Sequence, residues 1–166
     1  LKKLQGLLKE HNTDIFVLML PSKDIIYPEY LPKNTKYQKN NNVRAYDYYS
    51  RAFAENGINF LDVTKYFKEI KDSVDYPLFP QAGMHWSNIA CAHTSDTIIR
   101  YMEHLSGKNF PNIEVGTTYL AETRKPDNDM EKLLNLAFPI NNNKNHYADI
   151  NVTSDTSAQK AKMIVM

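Results

Sequence analysis

Residues 14–20, Asp-Ile-Phe-Val-Leu-Met-Leu, constrain the fold most: an apolar run stopped by Pro21. It falls well short of the ~18 apolar residues that span a bilayer and is the length of a strand. A strand apolar on both faces needs cover on both faces, which predicts a central strand of a parallel sheet with helices on each side. The neighbouring sequence supplies such helices. Leu1, Leu4, Leu7 and Leu8 recur at helical spacing among Lys and Gln, so an amphipathic helix is expected to end near His11 and Asn12. Val43 to Asn56 predicts a second helix, closed by Gly57 in a left-handed cap. Ile58 to Val63 follows as a second strand, and Thr64 to Lys71 as a brief helix with Thr64 as N-cap. Ser87 is placed to cap a long helix from Asn88 to about Leu105, closed by Gly107. Helix, strand, helix, strand, helix is the alternation of a doubly wound α/β sheet.

Two irregular stretches interrupt this pattern. Pro21 to Asn42 contains Pro21, Pro28 and Pro32 among many Asn and Lys, and predicts a long surface loop of the kind that often carries function. Asp75 to Trp86 holds two Pro and one Gly. Later, Asn112 to Thr118 predicts a short strand, Asp127 or Asn128 the start of a helix through Leu136, and Tyr147 to Val152 an extended segment. Ala161 to Met166, after the polar linker Ser154 to Lys160, is expected to open a buried strand.

Length and charge narrow the possible functions. At 166 residues the chain matches the ~100–200 residues of one domain, long enough to hold a core without disulfide or metal. Twenty basic and nineteen acidic residues leave a net charge of +1, which argues against nucleic acid as a partner. Cys91 cannot pair internally and is expected as a small buried apolar residue, with His93 and His104 at the surface of the same helix. No Gly-rich phosphate loop follows the first strand, so a flavodoxin-like nucleotide site is disfavoured. No metal is called for either, since Asp127 and Asp129 stand two apart without a nearby His or Cys pattern. The chain starts at Leu1 rather than Met, as an excised piece would, so an N-terminal anchor or signal outside it is compatible with the sequence.

Three segments carry candidate chemistry. Phe79-Pro-Gln-Ala-Gly-Met-His85-Trp86-Ser87 sits at a loop-to-helix junction, where a His can project as a general base and Trp86 can wall off water. The same pair also serves as a hydrophobic lid on the helix. Leu20 to Pro32 lies beyond the carboxyl end of the first strand, where ligands of open α/β sheets bind. There Lys23 suits a carboxylate or sugar hydroxyl and Tyr27 and Tyr30 suit a pyranose ring, although a Pro-pinned structural loop explains the segment as well. Arg124-Lys-Pro-Asp127-Asn-Asp129 offers two acids: either helix caps or, for one of them, the group that orients the His of a nucleophilic triad. Arg124 is a further substrate-binding candidate.

Together these segments resemble the alginate O-acetyltransferase (AlgX/AlgJ-like) family of the SGNH hydrolase superfamily. The resemblance rests on a strand running into Pro21-Ser22-Lys23, then Tyr27-Pro-Glu-Tyr-Leu-Pro32, a strand ending in Leu61-Asp62-Val63, and His85-Trp86 opening a helix. It is clearest over residues 1–106. It implies a three-layer α/β/α sandwich with a mostly parallel sheet, a single and incomplete domain over residues 1–166, truncated before the nucleophile's strand and turn. It further implies transfer of acetyl from a donor to a polysaccharide in the periplasm or cell envelope, by a Ser/His/acid acyl-enzyme mechanism, with no cofactor and with a membrane-bound acetyl-transfer partner. The nucleophilic Ser would follow Met166, with Met163 to Met166 as its strand. The chain departs from the family at Gly83, where an Asp two residues before the His usually orients the imidazole. Asp129 and Asp127 are the candidate substitutes. A carbohydrate acetylesterase on the same fold and a non-catalytic polysaccharide-binding or assembly domain are the alternatives, the second favoured by Gly83.

Overall fold

The computed structural model describes residues 1–33, 44–138, 144–154 and 163–165. They form a mixed α/β fold that divides into two compact units, Leu1–Tyr76 and Pro77–Met166.

The first unit is built on one parallel strand pair. Strand β1 (Val17–Met19) runs beside β2 (Phe60–Asp62), with Val17 opposite Phe60 and Met19 opposite Asp62. The strand is shorter than the 14–20 run, all three of its residues are half-buried, and Leu20 is exposed. Among the described residues β1 has a strand neighbour on one side alone, so the run is not enclosed as a central strand would be. Helix α1 (Lys2–Glu10) buries no residue. Polar contacts tie it down: Gln5 accepts the Asn59 N–H at 2.8 Å and Lys2 reaches the Gly57 carbonyl at 2.7 Å.

The loop beyond β1 is partly helical. It holds α2 (Lys23–Ile26) and a single 3-10 turn (Pro28–Tyr30), while the rest of it up to Asn42, from residue 34, lies outside the described residues. Helix α3 (Ala45–Glu55) ends as expected, with Gly57 at φ +60°. Helix α4 (Val63–Ile70) starts one residue earlier than predicted, and its cap is Asp62 rather than Thr64. The Asp62 carboxylate accepts the Lys65 N–H at 2.8 Å and the Tyr46 hydroxyl at 2.8 Å. Thr64 is instead fully buried beside Val63 and Phe67, which form the core of this unit with Ile26. Burying each of the larger apolar side chains contributes roughly 1.5–3 kcal/mol.

The second unit packs one long helix on a β-hairpin. Helix α5 (Asn88–Ser106) is capped by Ser87, whose hydroxyl accepts the Ala90 N–H at 3.2 Å, and ends on Gly107 at φ +68°. It buries Ile89, Ala90, Ala92 and Thr94 and lies against β3 (Asn112–Glu122) and β4 (Lys144–Thr153). Cys91 falls on the opposite face of α5 and is exposed, not buried as expected, because successive helical residues turn by ~100°. His93 is half-buried rather than at the surface, and its burial pushes the imidazole below its usual value.

Both later strands are longer than their sequence signals, and the pair is antiparallel, with Tyr119 opposite Tyr147 and Val115 opposite Ile150. Strand β4 buries the adjacent Tyr147 and Ala148 and exposes Asp149 to Thr153, so burial does not follow the polar–apolar alternation of Asp149 to Val152. Helix α6 (Asp129–Leu133) stops short of Leu136. Of the expected terminal strand, residues 163–165 are described. They are exposed and in no strand, as no described strand lies alongside to satisfy their backbone groups; the rest of 161–166 lies outside the described residues.

Candidate active site

Two loops of the second unit meet at His85. The first, residues 77–87, is drawn into a closed turn by the Ser87 N–H donating to the Leu78 carbonyl at 2.8 Å, with Leu78, Phe79 and Pro80 buried beneath it. Burial of those three residues and capping of α5 by Ser87 leave His85 at the rim, its side chain 66% exposed. Trp86, one step nearer the helix, is half-buried.

The second loop, residues 123–128, leaves β3 and enters α6. The Asp127 N–H donates to the Arg124 carbonyl and the Asp129 N–H to the Pro126 carbonyl, both at 2.9 Å, so the chain turns back on itself before the helix. That turn delivers Asp129 to the His loop. One carboxylate oxygen lies 2.6 Å from His85 Nδ1; the other accepts the N–H of Met84 at 2.7 Å and of Met130 at 2.8 Å. Partial burial pushes the Asp129 carboxyl up, but the Met84 N–H, the His85 ring and the Met130 N–H outweigh it and hold the group below the usual carboxylate range. An ionised carboxylate on Nδ1 fixes the proton there and leaves Nε2 as the basic nitrogen.

Asp127 is placed differently. It is 4% exposed, and its carboxyl bonds to the Tyr147 hydroxyl rather than to His85. Burial pushes this carboxyl up, against the Tyr147 hydrogen bond, with the nearby Asp129 charge adding to the rise. Of the two candidate acids, the structure therefore brings one to the imidazole and tucks the other beneath the loop.

Gly83 explains the departure at the position where an Asp was expected. A Cβ there would stand 2.6 Å from the Asp127 carbonyl oxygen and 3.0 Å from its carbon, closer than real Cβ contacts come. The acid-bearing loop occupies the space that a side chain at 83 would need. The Glu131 N–H also donates to the Ala82 carbonyl at 3.2 Å, closing the same seam from the helix side.

The remaining candidates fall in two places. Arg124 belongs to the second loop, its guanidinium 4.6 Å above the Tyr147 ring. Lys23, Tyr27 and Tyr30 belong to the first unit. Tyr30 is 80% exposed, with its ring 5.8 Å from that of Tyr27. Lys71 fastens this loop, donating to the Ile26 carbonyl at 2.9 Å and pairing with Glu29 at 2.8 Å while its ammonium sits 5.1 Å from the Tyr27 ring centre. Lys71 and Tyr147 were not legible as site residues in the sequence. Each acts on residues 20 or more positions away, and no local pattern signals it. Among the described residues no group of three or more His, Cys, Asp or Glu gathers as a metal site, and no helix is long and apolar enough to cross a membrane.

Residues 1–164 match the family described as "SGNH hydrolase-like domain, acetyltransferase AlgX". The chain belongs to this family. Solved structures agree on the fold. The O-acetyltransferase domain of Pseudomonas putida AlgJ superposes with a TM-score of 0.58 at 15% identity, over 92% of this chain and 53% of that one. Pseudomonas aeruginosa AlgX superposes with a TM-score of 0.57 at 14% identity, over 96% of this chain and 37% of that one. The chain thus spans about half or less of the length of these two solved structures, and at such identities the likeness is one of fold. No curated protein sequence matched.

Proposed function

We propose that the intact protein is a polysaccharide O-acetyltransferase of the AlgX family, with His85 as general base and Asp129 as the acid that orients it. The observation that carries this is the 2.6 Å contact between Asp129 and His85 Nδ1 in a chain that has Gly83 where the family's acid is expected. A non-catalytic domain would have no need to refill that position from a second loop, so the pair favours catalysis over the binding-domain alternative.

In this mechanism a serine outside residues 1–166 is the nucleophile. Its hydroxyl proton passes to His85 Nε2 as the oxygen attacks the acetyl carbonyl of the donor, and the donor's leaving group takes that proton as the acyl bond breaks. A sugar hydroxyl then gives its proton to Nε2 and attacks the acetyl-enzyme, and the serine oxygen recovers the proton as it departs. Backbone N–H groups near the serine would stabilise the oxyanion. With water in place of the sugar, the same steps make an esterase. Lys23, Tyr27, Tyr30, Trp86 and Arg124 are proposed as sugar contacts, supported for Tyr30 by its exposure and its Tyr27 neighbour. The setting is the periplasm or cell envelope, with acetyl supplied through a membrane-bound partner.

The test is acetyl release from a chromogenic acetyl ester by the full-length protein. His85→Ala is expected to abolish turnover, and Asp129→Asn to lower kcat by about 10²–10⁴-fold by allowing the wrong tautomer. Turnover indifferent to His85 would overturn the proposal.

A further inference from the structure

Asp129 is only as well placed as the loop that carries it, and among the described residues Tyr147 anchors that loop to the sheet. Tyr147 stands on β4 opposite Tyr119 and is 3% exposed. Its hydroxyl accepts the Arg124 N–H at 2.8 Å and bonds to the Asp127 carboxyl, so a single oxygen bridges two residues of the loop. Its ring lies under the Arg124 guanidinium. The bridge ends two residues before Asp129, at the residue whose carbonyl rests on Gly83.

We infer that Tyr147 is a positioning residue for the His85–Asp129 pair: its hydroxyl fixes the 123–128 turn to the hairpin and so sets the carboxylate at hydrogen-bond distance from Nδ1. The inference rests on the acyl-transfer proposal for its effect on rate, but not for its effect on the imidazole. Removing the hydroxyl leaves the Arg124 N–H and the buried Asp127 carboxyl without that partner. The turn then relaxes toward water, and Asp129 moves with it. Asp127 needs only an acceptor oxygen for this role, so Asn can replace it and Ala cannot.

The experiment uses full-length protein labelled with 15N-histidine. Long-range 1H–15N spectra, recorded on the high-pH plateau of the His85 shifts, report which ring nitrogen carries the proton. Wild type and Asp127→Asn are expected to hold the Nδ1–H tautomer. Tyr147→Phe and Asp127→Ala are expected to shift toward Nε2–H and to lower kcat by about 10–100-fold while KM for the ester stays near wild type. If Tyr147→Phe does not fold, Asp127→Ala against Asp127→Asn makes the same comparison. A wild-type tautomer and kcat in folded Tyr147→Phe or Asp127→Ala overturns the inference and leaves the pair standing. A tautomer indifferent to Asp129→Asn removes the pair, and the inference with it. Turnover indifferent to His85→Ala, with the tautomer still responding to Tyr147, sinks only the acyl-transfer proposal.

Discussion

Gly83→Ala adds a single methyl group and tests the relation between the two loops most directly. The added Cβ would meet the Asp127 carbonyl oxygen at 2.6 Å, against a practical limit of 3.0 Å. The obstacle is backbone, not a flexible side chain, so one loop must retreat by about 0.4 Å merely to reach that limit. Gly83 is not in the left-handed region, so the effect is steric and not conformational. Forcing such a contact costs about 1–3 kcal/mol of stability. The loop that retreats carries Asp129 two residues further on, and a misplacement of about 1 Å costs about 10²-fold in rate, so a retreat of this size predicts roughly a tenfold loss of kcat. Thermal melts and ester turnover of the full-length protein measure the two effects. Gly107→Ala is the control: nothing lies within 4 Å of its Cβ, yet its φ is +68°. It should lose about 1–2 kcal/mol of stability with turnover unchanged. A Gly83→Ala protein as stable and as active as wild type would refute the coupling. The same clash predicts that Gly83→Asp does not restore activity to Asp129→Asn.

Other outcomes follow from the caps and the two acids. Ser87→Ala should cost about 1 kcal/mol of stability through the lost cap of α5 while acetyl release persists; a loss of turnover without that destabilisation would make Ser87 part of the chemistry. Asp127 and Asp129 should give stability–pH curves of opposite sign. The Asp129 carboxyl is lowered in the folded protein, so its stabilisation is present above the unfolded value and is lost as pH falls through the folded one. The advantage of wild type over Asp129→Asn should shrink in acid. The Asp127 carboxyl is raised, so stability is greatest below the unfolded value and declines as pH rises through the folded one. Asp127→Asn should therefore gain on wild type over that window, and parallel melting curves for wild type and both variants would contradict these assignments.

Several roles settled within a few residues were legible in the sequence. Ser87 and Gly107 bound α5 because capping involves only neighbouring backbone groups, and the leucines of α1 mark their helix by spacing alone. Thr64 failed as a cap because two cap-competent residues lie close together and packing buries one of them, leaving Asp62 to meet the Lys65 N–H. Cys91 and His93 depended on which face of α5 meets the hairpin, which helical period does not specify when the apolar stripe is weak. The same limit applied to the site. Local pattern places His85 at a loop-to-helix junction and two acids near residue 128, and the family resemblance marks Gly83 as the position where an acid is expected. That Asp129 and not Asp127 meets the imidazole is a tertiary outcome, because the choice depends on a turn fastened to Tyr147 and seated on Gly83, contacts between residues 20 to 44 positions apart whose distances no local pattern encodes.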